Sequence, residues 1–170
     1  MVLSYIRMPC PVEEAMSRYS RWVGAPELEP PRLVPERDSI DLALKDEEWL
    51  GLAVFIFQSG PGTVIEELSG GLSLRPAESW LELADGGDLV YAECNDSIAY
   101  AQLIVVRQGR LVRHILDDEQ DSGSNVDIGR LPEEAQEPLT DWVDVTRWIE
   151  EDEMKIERPE QGWLWIHQAV

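Results

Sequence analysis

Cationic side chains are scarce in this chain of 170 residues: 14 Lys and Arg stand against 34 Asp and Glu, a formal net charge of −20. Such a surface repels phosphate backbones, which argues against direct nucleic-acid binding and favours a basic protein as the partner. Cysteine is nearly absent. Cys10 and Cys94 stand far apart with no CxxC spacing, which excludes a disulfide-stapled miniprotein and gives no sign of a zinc cluster or redox pair; two reduced, buried thiols are expected. Long apolar runs are missing too. The longest, Leu50 to Phe57, falls far short of the roughly 20 residues that cross a bilayer, and the opening MVLSYIRMPC has no basic segment followed by an apolar one. A cytoplasmic protein without membrane contact is expected.

Catalytic signatures are equally sparse. The chain has two histidines, His114 in a strand-like segment and His167 near the C-terminus, and no GxSxG, HExxH or glycine-rich phosphate loop. The acidic stretch Asp117 to Ile128 resembles a calcium loop in its oxygen ligands, but Ser122 replaces the turn glycine and Ile128 the bidentate glutamate. The expectation is a protein that is not an enzyme and holds neither metal nor cofactor.

What is present is enough apolar material for a core. Hydrophobic residues make up 44% of the chain, and its length suits one domain over residues 1–170. Residues 2 to 7 read as a strand. Pro11 then opens a helix in which Val12, Ala15, Met16, Tyr19, Trp22 and Val23 recur at helical spacing, with Gly24 placed to end it. A proline-rich connector, APELEPPRLVPERD, follows. Ser39 to Leu44 reads as a strand, Leu50 to Phe57 as a central strand covered on both faces, and Thr63 to Leu68 as either a strand or a helical turn. Pro76 opens a second helix that stops at Gly86-Gly87.

From Leu89 the period becomes two. LVYAEC, SIAYAQLIVV and RLVRHIL, joined by turns at Asn95-Asp96 and Gln108-Gly109, predict an antiparallel meander. DDEQDSGSNVDIG reads as a loop, Pro138 to Ile149 as a helix, and WLWIH as a strand pairing at a sheet edge. The fold class is therefore α+β: a mainly antiparallel sheet of about five or six strands with helices packed on it.

Negative charge gathers late in the sequence. Residues 117–160 hold sixteen acids against four bases. On the helix, Leu139, Trp142, Val143 and Ile149 form the expected buried stripe, while Asp141, Asp144, Trp148 and Glu151 share another face. An aromatic side chain inside an anionic rim suits a cationic protein surface; the competing reading packs Trp148 against WLWIH. The candidate partner-binding residues are Asp117, Asp118, Glu119, Asp121 and Asp127 in the loop, with Asp141, Asp144, Trp148 and Glu151 on the helix.

Four segments between residues 47 and 142, EEWLGLAVFIF, TVIEELSGG, LVYAECNDSIAYAQLIVVRQGRLVRHILDDEQ and PEEAQEPLTDW, resemble those of small, acidic, tryptophan-rich bacterial immunity proteins that neutralise polymorphic or secreted toxins. The resemblance implies an inhibitor that binds a basic cognate toxin tightly and does no chemistry itself. The alternatives are a regulatory domain that binds a host protein, and an enzyme whose site is assembled from dispersed acids. A homo-oligomer is compatible with the sequence.

Overall fold

The computed structural model describes residues 2–24 and 30–167, so the first five residues of the proline-rich connector lie outside it. In chain order the elements are β1 (Val2–Met8), α1 (Val12–Val23), β2 (Arg32–Pro35), α2 (Ser39–Ala43), β3 (Leu44–Lys45), β4 (Glu48–Trp49), β5 (Leu52–Ser59) and β6 (Gly62–Glu67). They continue with α3 (Ala77–Ala84), β7 (Leu89–Asn95), β8 (Tyr100–Arg107), β9 (Arg110–Asp118), β10 (Val126–Gly129), α4 (Trp142–Glu153) and β11 (Gln161–His167). The α+β class and the antiparallel sheet stand. The sheet is larger than expected: nine strands in the order β10-β9-β8-β7-β1-β6-β5-β11-β2, with β3 and β4 forming a separate small hairpin.

Three readings of the sequence need correction: two add a strand to the sheet and one removes a strand. The proline-rich connector contributes β2, which pairs Leu33 with Trp163 and so leaves β11 between β5 and β2, not at an edge. The acidic segment is not all loop. Asp117 and Asp118 finish β9, and Val126 to Gly129 return as β10, a four-residue edge strand too short and too polar to show a period. Ser39 to Ala43 is a helical turn with Ser39 and Ala43 buried four residues apart, the spacing of a helix face.

Two cores lie on opposite faces of the sheet. On one, α1 and α3 cover Ile6, Ile56, Ile65, Tyr91, Ile104 and Trp165. Helix α1 ends where Gly24 takes the left-handed conformation, φ 63°, and donates to the carbonyl of Ser20. The two helices are tied together by Trp22 Nε1, which donates to the carbonyl of Ser79 at 2.7 Å, and Trp80 stacks on Tyr91 with ring centroids 4.0 Å apart. Cys10 and Cys94 are buried and free, one on each side of the sheet.

On the other face α4 rests on β7, β8 and β9, burying Val145 and Ile149 against Ala92, Ala101, Leu103 and Val105. The small alanines of β7 and β8 let the helix approach. Helix α4 starts at Trp142, four residues later than the sequence suggests, because Asp141 caps it. Its buried positions shift accordingly: Val145, Ile149 and Asp152 face the sheet, and Val143 is 44% exposed. Leu139 is buried but precedes the helix. With β7 four strands away from β11, α4 does not stack on WLWIH.

Candidate functional site

The first turn of a helix leaves backbone N–H groups without intrahelical partners and carries the positive end of the macrodipole, so carboxylates settle there. At α4 three do. Asp141 Oδ1 accepts from the Asp144 amide at 3.0 Å, and Asp144 reaches back with Oδ2 to Thr140 Oγ1 at 2.7 Å and to the Thr140 amide at 3.2 Å. Asp117, at the end of β9, accepts from the Trp142 amide at 2.8 Å. The indole of Trp142 then donates from Nε1 to Glu119 at 2.8 Å. The hairpin acids and the helix acids, 22 residues or more apart in sequence, thus meet around one tryptophan.

The turn between β9 and β10 is built to hold this arrangement. Asn125 donates to Asp117 Oδ1 and accepts from the Asp118 amide at 2.8 Å, while Asp118 Oδ1 accepts from the amides of Gln120 and Asp121. Asp121 is exposed beside them, its carbonyl accepting from Ser124. The donors to Asp117, Asp118, Glu119 and Asp141 are amides and an indole, all neutral, so they hold these side chains in place without bringing a cation to them.

Asp127 stands apart. It accepts from Arg130 and Arg113, and these hydrogen bonds hold its carboxyl below the usual range. Arg113 itself is wholly buried, with Nε 2.8 Å from Glu134 Oε1, Nη2 donating to Glu134 Oε2 at 3.1 Å, and a further bond to the carbonyl of Leu139. Glu134 in turn accepts from the Leu131 amide. This buried ion pair fixes residues 131–139, the segment that delivers the chain to α4.

Further along the helix, Asp144, Trp148 and Glu151 line one cleft of about 330 Å³, as their shared face predicts. Trp148 is half-buried and packs on the α4 core. The cleft is mixed in charge: Glu133, Glu137 and Glu151 face Arg7, Arg107 and Arg147. Arg7 is anchored on the buried Asp152 at 2.9 Å, which also accepts from Tyr5 Oη at 3.1 Å. The negative surface therefore has a cationic border.

Sequence reading missed a second set of polar groups, on the opposite face of the sheet. Strand register places Glu67, Ser4, Glu93 and Gln102 in one row across β6, β1, β7 and β8. Ser4 Oγ lies 2.8 Å from Glu67 Oε2, the Leu72 amide donates to Glu67 Oε1 at 2.8 Å, and Tyr91 donates to Glu93. Burial pushes Glu67 up to about 7 and also raises Glu93. The available signal was a carboxylate on the inward face of an apolar strand, Glu67 after Ile65 and Glu93 after Tyr91. His114 is buried next to Gln102, its Nε2 3.3 Å from Gln102 Nε2, and both burial and the charge of Arg113 lower its pKa.

Among the described residues no three His, Cys, Asp or Glu side chains are grouped to hold a metal ion, and no helix is long and apolar enough to cross a membrane. The chain matches no family model, no curated protein and no solved structure.

Proposed function

We propose that this chain is a cytoplasmic, non-catalytic binding protein that docks a basic protein on the acidic surface around Trp142, in the manner of an immunity protein neutralising a cationic toxin. One observation carries the reading: Asp117, Glu119, Asp141 and Asp144 are gathered at one helix start and held there chiefly by neutral donors. Carboxylates fixed in advance lose little freedom on binding, and unneutralised charge accelerates encounter with a basic surface. Trp148 and the acids of the adjoining cleft extend the surface, and the net charge of −20 supplies the long-range attraction.

The test is a binding and rescue experiment with the product of any larger toxin-like gene encoded beside this one. The expected result is a stoichiometric complex that abolishes toxicity, with an association rate that falls steeply as salt rises from about 50 to 500 mM. A tight complex formed on another surface, with its on-rate unchanged in Glu119→Gln and Asp117→Asn, overturns the assignment of this face.

A further inference from the structure

The row of polar groups under α3 has a second consequence. Glu67 and Glu93 flank β1 on the same face, so their Cα atoms are roughly 10 Å apart at the usual strand spacing. Glu67 is 7% exposed and Glu93 half-buried, and among the described residues no Lys or Arg side chain forms an ion pair with either. The charged and titratable groups around Glu67 are Glu93 and Tyr91 on β7, Tyr100 on β8, Tyr19 on α1 and Arg75. Arg75, the one cation among them, is turned away onto the ring of Trp22, 4.7 Å from its centroid. Burial without a cation disfavours the ionised form of both acids; at Glu67 it outweighs the Ser4 and Leu72 hydrogen bonds, which favour that form, and the charge of Glu93 adds to the penalty.

What covers these acids is residues 69–76, which cross the sheet end from β6 to α3. Glu67 holds this segment through the Leu72 amide, and the Ser73 side chain lies against both Glu93 and Tyr100. Leu72 is wholly buried behind it, whereas Leu74 is 87% exposed. The same segment supplies one wall of a cleft of about 580 Å³, whose opposite wall carries Trp49 and Leu52.

We propose that residues 69–76 are a strap latched over the buried carboxyl of Glu67, and that ionisation of this group releases it. With the strap closed, Glu67 keeps its proton, and the Ser4 hydroxyl, which takes either role, serves as its neighbour. When the strap lifts, the carboxyl meets water and gives up that proton to it. Raising the pH therefore shifts the population toward the lifted form and widens the cleft beside Trp49; lowering it latches the strap. This device is independent of the docking surface around Trp142, which lies on the other face of the sheet.

The experiment is amide hydrogen exchange on the intact chain at pH 5 and pH 8, corrected for intrinsic rates. Local opening at Leu72 and Ser73 is expected to be about 50 to 100 times more frequent at pH 8, with core amides of β7 and β8 changing far less. Glu67→Gln keeps an acceptor for the Leu72 amide and removes the titration, so its strap protection is expected to be nearly independent of pH. Equal protection in the wild type at the two pH values overturns the proposal, as does an undiminished pH dependence in Glu67→Gln. Should that variant not fold, carboxyl NMR of the wild type decides: Glu67 titrating near 7 supports the latch, and titration at the ordinary glutamate value sinks it.

Discussion

Arg113 and Glu134 form an ion pair in which neither side chain has more than 3% of its surface exposed, with Arg113 Nε 2.8 Å from Glu134 Oε1. The pair joins the middle of β9 to the segment that leads into α4. Removing one member leaves the other charged and dry, which costs far more than the pair contributes. Arg113→Met is expected to lose about 3 to 5 kcal/mol of stability by urea denaturation. The double variant Arg113→Met, Glu134→Met is expected to recover a large part of that loss. Additive losses in the double variant contradict the pairing.

Asp141 serves both as helix cap and as part of the docking surface, and two substitutions separate the roles. Asparagine caps about as well as aspartate but carries no charge, while alanine does neither. Asp141→Asn is expected to leave stability nearly unchanged and Asp141→Ala to lose about 1 kcal/mol. Both are expected to slow association with a basic partner to a similar extent at low salt, measured by stopped flow. An Asn variant that associates as fast as the wild type removes Asp141 from the docking face.

His167 is buried between Tyr19 and Trp165, with ring centroids 5.5 and 4.9 Å away, and burial lowers its pKa to about 4. Its folded pKa lies below the ordinary 6.5, so the protein is favoured while the ring is neutral. That stability is fully present above pH 6.5 and is lost as pH falls from there toward 4. His167→Phe is expected to gain on the wild type by about 2 to 3 kcal/mol between pH 7.5 and pH 4.5 in parallel denaturation curves. A constant difference between the two proteins over this range contradicts the assignment.

Much of this architecture was legible in the sequence because period and punctuation agree. Helix α1 was marked by its apolar spacing between Pro11 and Gly24, and β7, β8 and β9 by short apolar runs with turn residues between them. The missed elements are those whose residues obey a distant partner. Arg32 to Pro35 has no strand signature of its own and is extended because Trp163 and its neighbours pair with it. Val126 to Gly129 is held by β9 in the same way. The grouping of Asp117 with Trp142 depends on how α4 crosses the sheet, which no local pattern encodes. Glu67 and Glu93 were hidden among 34 acids: their spacing from Ile65 and Tyr91 hints that they point inward, but only strand register brings the two into one row.

Gly162 tests the placement of β11 directly. A Cβ at this position would lie 2.4 Å from Phe55 Cζ and 2.8 Å from the carbonyl oxygen of Ile56, both on the neighbouring β5. Gly162→Ala is expected to cost at least about 2 kcal/mol through displacement of the Phe55 ring or of the strand itself. A loss below about 0.5 kcal/mol, measured by thermal melting, contradicts the close approach of these two strands.

The position of β11 also bears on the order in which the molecule can be completed during synthesis. Its two neighbours, β5 and β2, have both left the ribosome long before residues 161–167 are made, and neither can bond to the other across the gap. Until β11 arrives, one flank of β5 is an open template, and Ala53 and Phe55 lack the contacts that dry them. Seating β11 is therefore a long-range step, joining residues about a hundred or more positions apart, which the local hairpins cannot hasten.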